Sequence, residues 1–477
     1  MDAGSTTTRT RLPAVSLDAQ GKRHIDWRAI FALVFPLFIN NSIQSVLNLT
    51  DLWFIGRISS TATAAMGSIF YLTIVFTVFF GGVGMAVHTM VAQAYGGGRQ
   101  VRAAQATWTG LWGAVLTLPF FVIIAFNGRV ILAPFQLDPA IEAFALEYWL
   151  PRVLGGALNV ALWGMTAFFN GTSRTRVTLI VMTCVTLANF PLNELFMFQF
   201  GWGMAGAGWA TTAAQAIGIA IVIILFLRAP LRREFKSHLV WKPRLKLIWR
   251  AFALGMPMGL AATVDLIGFS IFMLLMARLG GPGAAATPIV MQLTSLAFAP
   301  AIGIALAGTT LVGQCIGAGD REWAMRCGNA IVKLCVAYMG MVGLVLALTG
   351  PWVVPIFVRA DDPQAAAVIS LALQLLWIAA AYQVFDATNL STSFALRGAG
   401  DVRVPAAFLV VLSWGVFIPL CHILTFSEGQ GLVGFLPHVG WGAAGGWIAA
   451  VIYVVLLACA MFTRWISGAW KKFGVVS

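Results

Sequence analysis

The sequence predicts an all-α polytopic membrane protein: twelve transmembrane helices, arranged as two six-helix lobes related by a pseudo-two-fold axis along the membrane normal. Three observations carry this expectation: composition, the spacing of apolar runs, and an internal repeat. Of 477 residues, 60% are hydrophobic and 10% charged, and the mean hydropathy is +0.87. A soluble protein carries about 25% charged residues, so a soluble enzyme, a disordered chain and a disulfide scaffold are excluded together.

Continuous apolar runs of about 20 residues, the length that crosses a bilayer as helix, lie near 29–50, 65–88, 106–126, 148–170, 177–200, 205–227, 251–277, 284–312, 328–350, 364–396, 404–426 and 442–463. Barrel strands would alternate in short segments instead. Residues 1–26 are polar and lack an apolar core, so no cleavable signal peptide is expected. Tryptophans at run ends (Trp27, Trp149, Trp202, Trp441, Trp465) suit the membrane interfaces.

The repeat divides the chain. Pro36 and Pro257 stand 221 apart, and VAQAYGGGRQ (91–100) returns at the same offset as VGQCIGAGDR (312–321). NGTSRTRV (170–177) returns as RGAGDVRV (397–404) at an offset of 227, and GWGMAG (201–206) as GWGAAG (440–445) at 239. Six helices per repeat is an even number, so both copies enter from the same side and are related by an axis along the membrane normal. The predicted organisation is an N-terminal tail (1–27), an N-lobe (28–227), a polar connector (228–250), a C-lobe (251–465) and a C-terminal tail (466–477).

Net charge is +13. Twenty-four of the 30 Lys and Arg residues fall on the side of the termini, eight of them in the connector RAPLRREFKSHLVWKPRLKLIWR, while Arg57, Arg129, Arg152, Arg278 and Arg359 fall on the other side and Lys333 inside a span. The positive-inside rule then places both termini and the connector in the cytoplasm of a cell with an inner (plasma) membrane. This reading replaces a nucleic-acid partner. The six cysteines form no CxxC and read as small core residues. His88 reads as a hydrogen-bonded structural histidine, and the GGVG (81–84) and YGGG (95–98) runs as close helix packing, since neither has the context of a phosphate loop.

Acidic residues inside the spans are few: Asp51, Glu194, Asp265 and Asp386. Each costs about 2.5–3.5 kcal/mol at a helix centre and should face protein or water. On the first helix Asn40, Gln44, Asn48 and Asp51 fall within about 80° of arc, and on the tenth Tyr382, Asp386, Asn389 and Ser393 within about 60°. Two polar stripes, each holding a carboxylate, line something wet; a structural hydrogen-bond network between helices is the alternative. Asp265 heads a stripe of Phe269, Phe272, Met273 and Met276, which reads as core packing or as an apolar drug surface. The repeat sets the neutral Gln44 and Asn159 opposite Asp265 and Asp386. A carboxylate pair of this kind can exchange a proton, or hold a small cation when both are ionised.

LTDLWFIGR (49–57), VAQAYGGGR (91–99), the NGTSRTRV/LRGAGDVRV pair, NFPLNELF (189–196) and GAGWATT (206–212) together resemble the multidrug and toxic compound extrusion (MATE) family, over residues 27–465. The resemblance implies a secondary antiporter that exports cationic or amphipathic organic compounds in exchange for H+ or Na+, with no cofactor and no catalysis, working as a monomer in the lipid bilayer. It implies cation coupling at Asp51, Asp265 and Asp386, with Tyr382 one turn before the last, and makes Asp265 and Asp386 the candidate Na+ site. Asn40, Gln44, Asn48, Asn189, Asn193, Asn389 and Ser393 become candidate cleft residues. Both C-lobe acids resemble the NorM-type branch. The DinF-type branch has an aspartate where this chain has Asn193, and Glu194 lies about 100° further round the helix, which argues against a proton site built on the fifth helix. A flippase for lipid-linked precursors and an exporter of an endogenous metabolite remain open on this fold; the flippase would need a cationic cavity, whereas the span charges are acidic apart from Lys333. A membrane enzyme would need a catalytic cluster that the sequence does not offer. Protease added to sealed spheroplasts should leave the 228–250 connector uncut, and cleavage from outside would overturn the predicted topology.

Overall fold

A computed structural model describes residues 12–358, 363–429, 431, 433, 434 and 436–473. Arg9, Arg11 and Arg359, used above for orientation, lie outside the described residues. Among the described residues, twelve helices are long and apolar enough to cross a membrane: α1 (Trp27–Gly56), α2 (Ser60–Gly96), α3 (Gln100–Phe126), α4 (Pro139–Gly171), α5 (Thr175–Gln199), α6 (Gly203–Phe226), α7 (Leu245–Leu279), α8 (Gly281–Gly317), α9 (Arg321–Phe357), α10 (Ala365–Ala399), α11 (Arg403–Thr425) and α12 (Gly442–Ile466). Most outrun their apolar runs, because helices continue past the lipid into polar ends. Side chains of Asp26, Ser59, Asp138 and Asp320 accept from first-turn N–H groups and fix four of those ends.

The two lobes meet at the end of the bundle that carries the termini, and they meet symmetrically. The Gln93 amide donates to the Gly398 carbonyl (2.9 Å), and Gln314, its equivalent 221 residues later, donates to the Gly171 carbonyl (2.8 Å). Thr89 donates to the Arg397 carbonyl (2.9 Å), and its equivalent Thr310 to the Asn170 carbonyl (3.1 Å). His88 is hydrogen-bonded to Thr310 at 2.8 Å, so it is the structural histidine the sequence suggested. All four accepting carbonyls belong to the last turns of α4 and α10, where the regular helix ladder runs out; Asn170 and Arg397 also accept from Ser173 N and Gly400 N in the turns that follow.

Glycines permit the approach. A Cβ on Gly82 would overlap the Gly255 carbonyl, and one on Gly303, its equivalent, the Leu37 carbonyl. The termini-side halves of α1 and α7 thereby cross to the opposite lobe: Ile30, Leu33, Val34 and Leu37 pack in the C-lobe core, and Ala251 of α7 in the N-lobe core. The α5 and α11 helices each contain one wide-turn π segment, Glu194–Gln199 and Ser413–Phe417, at corresponding places in the two lobes.

The structure adds details to this frame. Within the N-terminal tail, β1 (Val15–Leu17) and β2 (Arg23–Ile25) form an antiparallel hairpin. Asp18 closes its turn by accepting from Gln20 N and Lys22 N. The hairpin sits on the start of α9, where Trp323 Nε1 donates to the Pro13 carbonyl (2.9 Å) and Arg23 pairs with Asp320 (2.7 Å). The connector holds a short helix, Ala229–Phe235, and Trp108 and Trp112 of α3 donate to the Ser237 and Trp241 carbonyls. Trp27, Trp202 and Trp441 are exposed, but Trp149 and Trp465 are core residues whose indole N–H groups reach Ile124 O and Asn329 Oδ1 inside the protein. Cys459 is exposed and Cys184 half-buried, while the other four cysteines are buried.

Removing either crossed amide strands a buried carbonyl, at about 1–3 kcal/mol. Gln93→Leu and Gln314→Leu should therefore both lower the unfolding temperature in detergent and expose cysteines placed at the termini-side joint to thiol reagents. A stable, still-shielded variant of either kind would show that the joint does not depend on these amides.

Candidate functional site

Among the acids within the spans, Asp51 lies in a polar cluster of the N-lobe, and Asp265 and Asp386 lie in one of the C-lobe. In the N-lobe, Asp51 is 3% exposed near the far end of α1 and reaches across to α5 and α6. Its Oδ1 accepts from Asn193 Nδ2 (2.8 Å) and its Oδ2 from Thr211 Oγ1 (2.8 Å). Asn193 also donates to Asn189 Oδ1 (3.0 Å), and Asn189 to Thr211 Oγ1 (3.3 Å). Local sequence explains the arrangement: Asn189 and Asn193 are one turn apart on one face of α5. The neutral Asn193 can donate to Asp51, which an aspartate there could not do when ionised.

The rest of the α1 stripe does not join this network. Asn40, Gln44 and Asn48 are half-buried, and the Asn40 Oδ1 is buried with no hydrogen-bond partner. Glu194 stands apart as well, in a 2.8 Å ion pair with Arg57 that is about as exposed as the surface around it. Arg152, near the start of its apolar run, lies within α4 with its Nη1 buried.

In the C-lobe, Tyr453 of α12 donates from its hydroxyl to Asp265 Oδ1 (3.0 Å). Asp386 of α10 is within electrostatic reach of Asp265, and Asn389, one turn on, is in hydrogen-bonding reach of Asp386. Tyr382 lies a turn earlier on the same face, its ring edge-on to Trp447 at 6.3 Å. Ser393 is half-buried further along α10. The stripe headed by Asp265 resolves as packing: Phe272 and Met276 are 1% exposed, and Phe269 and Phe272 each lie 5.8 Å from Phe417. Lys333 points away from this cluster, exposed on α9.

Sequence reasoning missed two donors. Thr211 sits inside the GAGWATT motif, and Tyr453 is a lone hydroxyl in an apolar helix. Neither shares a helix with the acid it serves, so no one-helix stripe could reveal them.

Twelve spanning helices in two pseudo-symmetric lobes, with carboxylates held inside each lobe, define a membrane transporter rather than a scaffold. A family model described as MatE matches residues 36–195 and 257–423, one segment in each lobe. The chain belongs to the MatE family. It is 28% identical to a probable multidrug resistance protein NorM of Mesorhizobium japonicum over 455 residues, covering 92% of this chain and 93% of the relative. It is 30% identical to a multidrug resistance protein NorM of Burkholderia vietnamiensis over 424 residues, covering 87% and 89%. Among solved structures, it superposes on an outward-facing multidrug resistance MATE family transporter of the MOP superfamily with a TM-score of 0.80, at 18% identity, over 93% of this chain and 96% of the other.

Thr211→Val keeps shape and removes one of two donors to a buried carboxylate. The expected loss of stability is about 1–3 kcal/mol, read as a lowered thermal midpoint, with Thr211→Ser close to the parent. An unchanged midpoint in the valine variant would mean that Asp51 is held by other groups.

Proposed function

We propose that this chain is a secondary antiporter that exports cationic or amphipathic organic compounds across the cytoplasmic membrane in exchange for entering H+ or Na+. It lies as a monomer in the bilayer with both termini in the cytoplasm, and it carries no catalytic centre. Its relatives' names speak for multidrug substrates, and the cytoplasmic excess of Lys and Arg speaks for the orientation.

The observation that carries this reading is the C-lobe pair. Asp265 and Asp386 stand within electrostatic reach of each other inside apolar helices, served by Tyr453 and Asn389. A structural network would be satisfied by amides and hydroxyls. Two carboxylates retained in lipid at this cost fit a group that takes up and releases a cation. The joint at the termini-bearing end supports a closed cytoplasmic side in that orientation. Coupling then requires that drug and cation do not both bind well to one state, and a membrane potential adds about 2.3 kcal/mol per charge per 100 mV to the drive.

Transport of a fluorescent cationic dye in proteoliposomes, under a Na+ gradient and a pH gradient imposed separately, tests the reading and chooses the ion. Asp386→Asn, nearly isosteric but unable to ionise, should drop gradient-driven efflux to the level of protein-free vesicles while inserting and folding normally. Undiminished transport by this variant would remove Asp386 from the coupling role.

A further inference from the structure

The charge inside the two lobes does not balance in the same way, and the difference lies in one arginine. Arg152 is carried by α4, whose backbone is locked to α6 where the Asp51 network lies. Thr212 Oγ1 donates to the Pro151 carbonyl at 2.9 Å, and its neighbour Thr211 donates to Asp51. A Cβ on Gly208 would overlap Pro151, so α4 and α6 touch closely at this level. The Arg152 side chain is thereby held inside the N-lobe, beside the 2%-exposed Tyr148 one turn earlier. Its Nη1 is buried without a hydrogen-bond partner. It makes no ion pair with a carboxylate among the described residues, yet its charge acts on Asp51.

Arg152 as a residue is half-buried, with its Nη1 end buried, and a guanidinium keeps its charge because its proton is not given up at any ordinary pH. Glu194 is paired with Arg57 at the surface and Glu147 is exposed, whereas Asp51 is a buried N-lobe carboxylate on which the charge of Arg152 acts. The C-lobe differs. There Asp265 and Asp386 act on each other, and Arg397, lying 4.4 Å over the Phe394 ring and 3.6 Å from the Met85 sulfur, acts on Asp265. With these groups ionised, Arg152 offsets Asp51 in one interior cluster, while the other holds two acids to one arginine.

We infer that Arg152 is the resident counter-cation of Asp51: a fixed positive charge that occupies the electrostatic place of a small cation and so confines cation exchange to the C-lobe, one monovalent ion per cycle. Arg152 is a specificity-determining residue in this sense. It touches no transported ion, and it decides which of two oxygen-lined clusters can accept one. The assignment rests on the coupling role proposed above for the C-lobe pair.

Radioactive Na+ binding to the purified full chain, at saturating Na+ in mildly alkaline buffer, tests it by counting ions. Arg152→Gln should bind one Na+ per chain more than the parent, Arg152→Lys should keep the parent count, and adding Asp51→Asn to Arg152→Gln should remove the extra ion. Arg152→Met, which fills the space of the arginine stem, gives the same count if the glutamine variant folds poorly. A folded Arg152→Gln or Arg152→Met protein with the parent count would overturn the inference, as would an extra ion that survives Asp51→Asn. The C-lobe reading fails separately, through undiminished transport by Asp386→Asn, and that result leaves the comparison of Na+ counts intact.

Discussion

Gln93 and Gln314 donate across the lobe boundary to the exposed ends of helices α10 and α4, and the closed side of this molecule is organised around those bonds. The last carbonyls of a helix have no donor within its ladder, and Gly171 and Gly398 are buried, away from water that could supply one. Each half of the chain provides what the other half's helix end lacks. The glycines at 82, 96, 303 and 317 follow from the same requirement, since the amides reach their acceptors only if the backbones come within direct contact. The repeat is therefore more than a record of two similar halves: its equivalent positions have equivalent partners.

The interior acids follow another rule. Both lobes bury carboxylates, but they satisfy them differently. Asp51 is enclosed by amides and a threonine from α5 and α6, while Asp265 receives a tyrosine hydroxyl and shares its surroundings with a second acid. A fold built by repetition can thus carry unequal chemistry, because the backbone frame is common and the side chains at equivalent places, such as Gln44 against Asp265, are not.

Much of this was legible in the sequence. Continuous apolar runs give the twelve helices because the bilayer demands length and apolarity together, and the matched motifs give the two lobes. The acids also stand out, since charge in lipid is rare enough to notice. What a sequence cannot show is which helix lies opposite. Thr211 and Tyr453 are ordinary residues until α1 and α7 are placed beside α6 and α12. Arg152 looked like one more outer-side basic residue, because its run begins late and the helix beginning at Pro139 extends well beyond it. Trp149 and Trp465 lie at run ends yet pack inward, since nearness to an interface in sequence does not fix which way a side chain faces. The hairpin at residues 15–25 has strands of three residues, too short for alternation to register.

That hairpin bears on how the protein is made. Pro13 meets Trp323 across 310 residues of chain, and Arg23 meets Asp320 across 297. A ribosome adding about 5–20 residues per second needs roughly 15–60 s to cover that distance. For that interval the first segment to emerge has no seat, and Ile30, Leu33 and Leu37 of α1 have no C-lobe core to join. The beginning of the chain is among the last parts to be secured, so a nascent chain stalled before α9 would carry an unseated amino terminus even with its first six spans already in the bilayer.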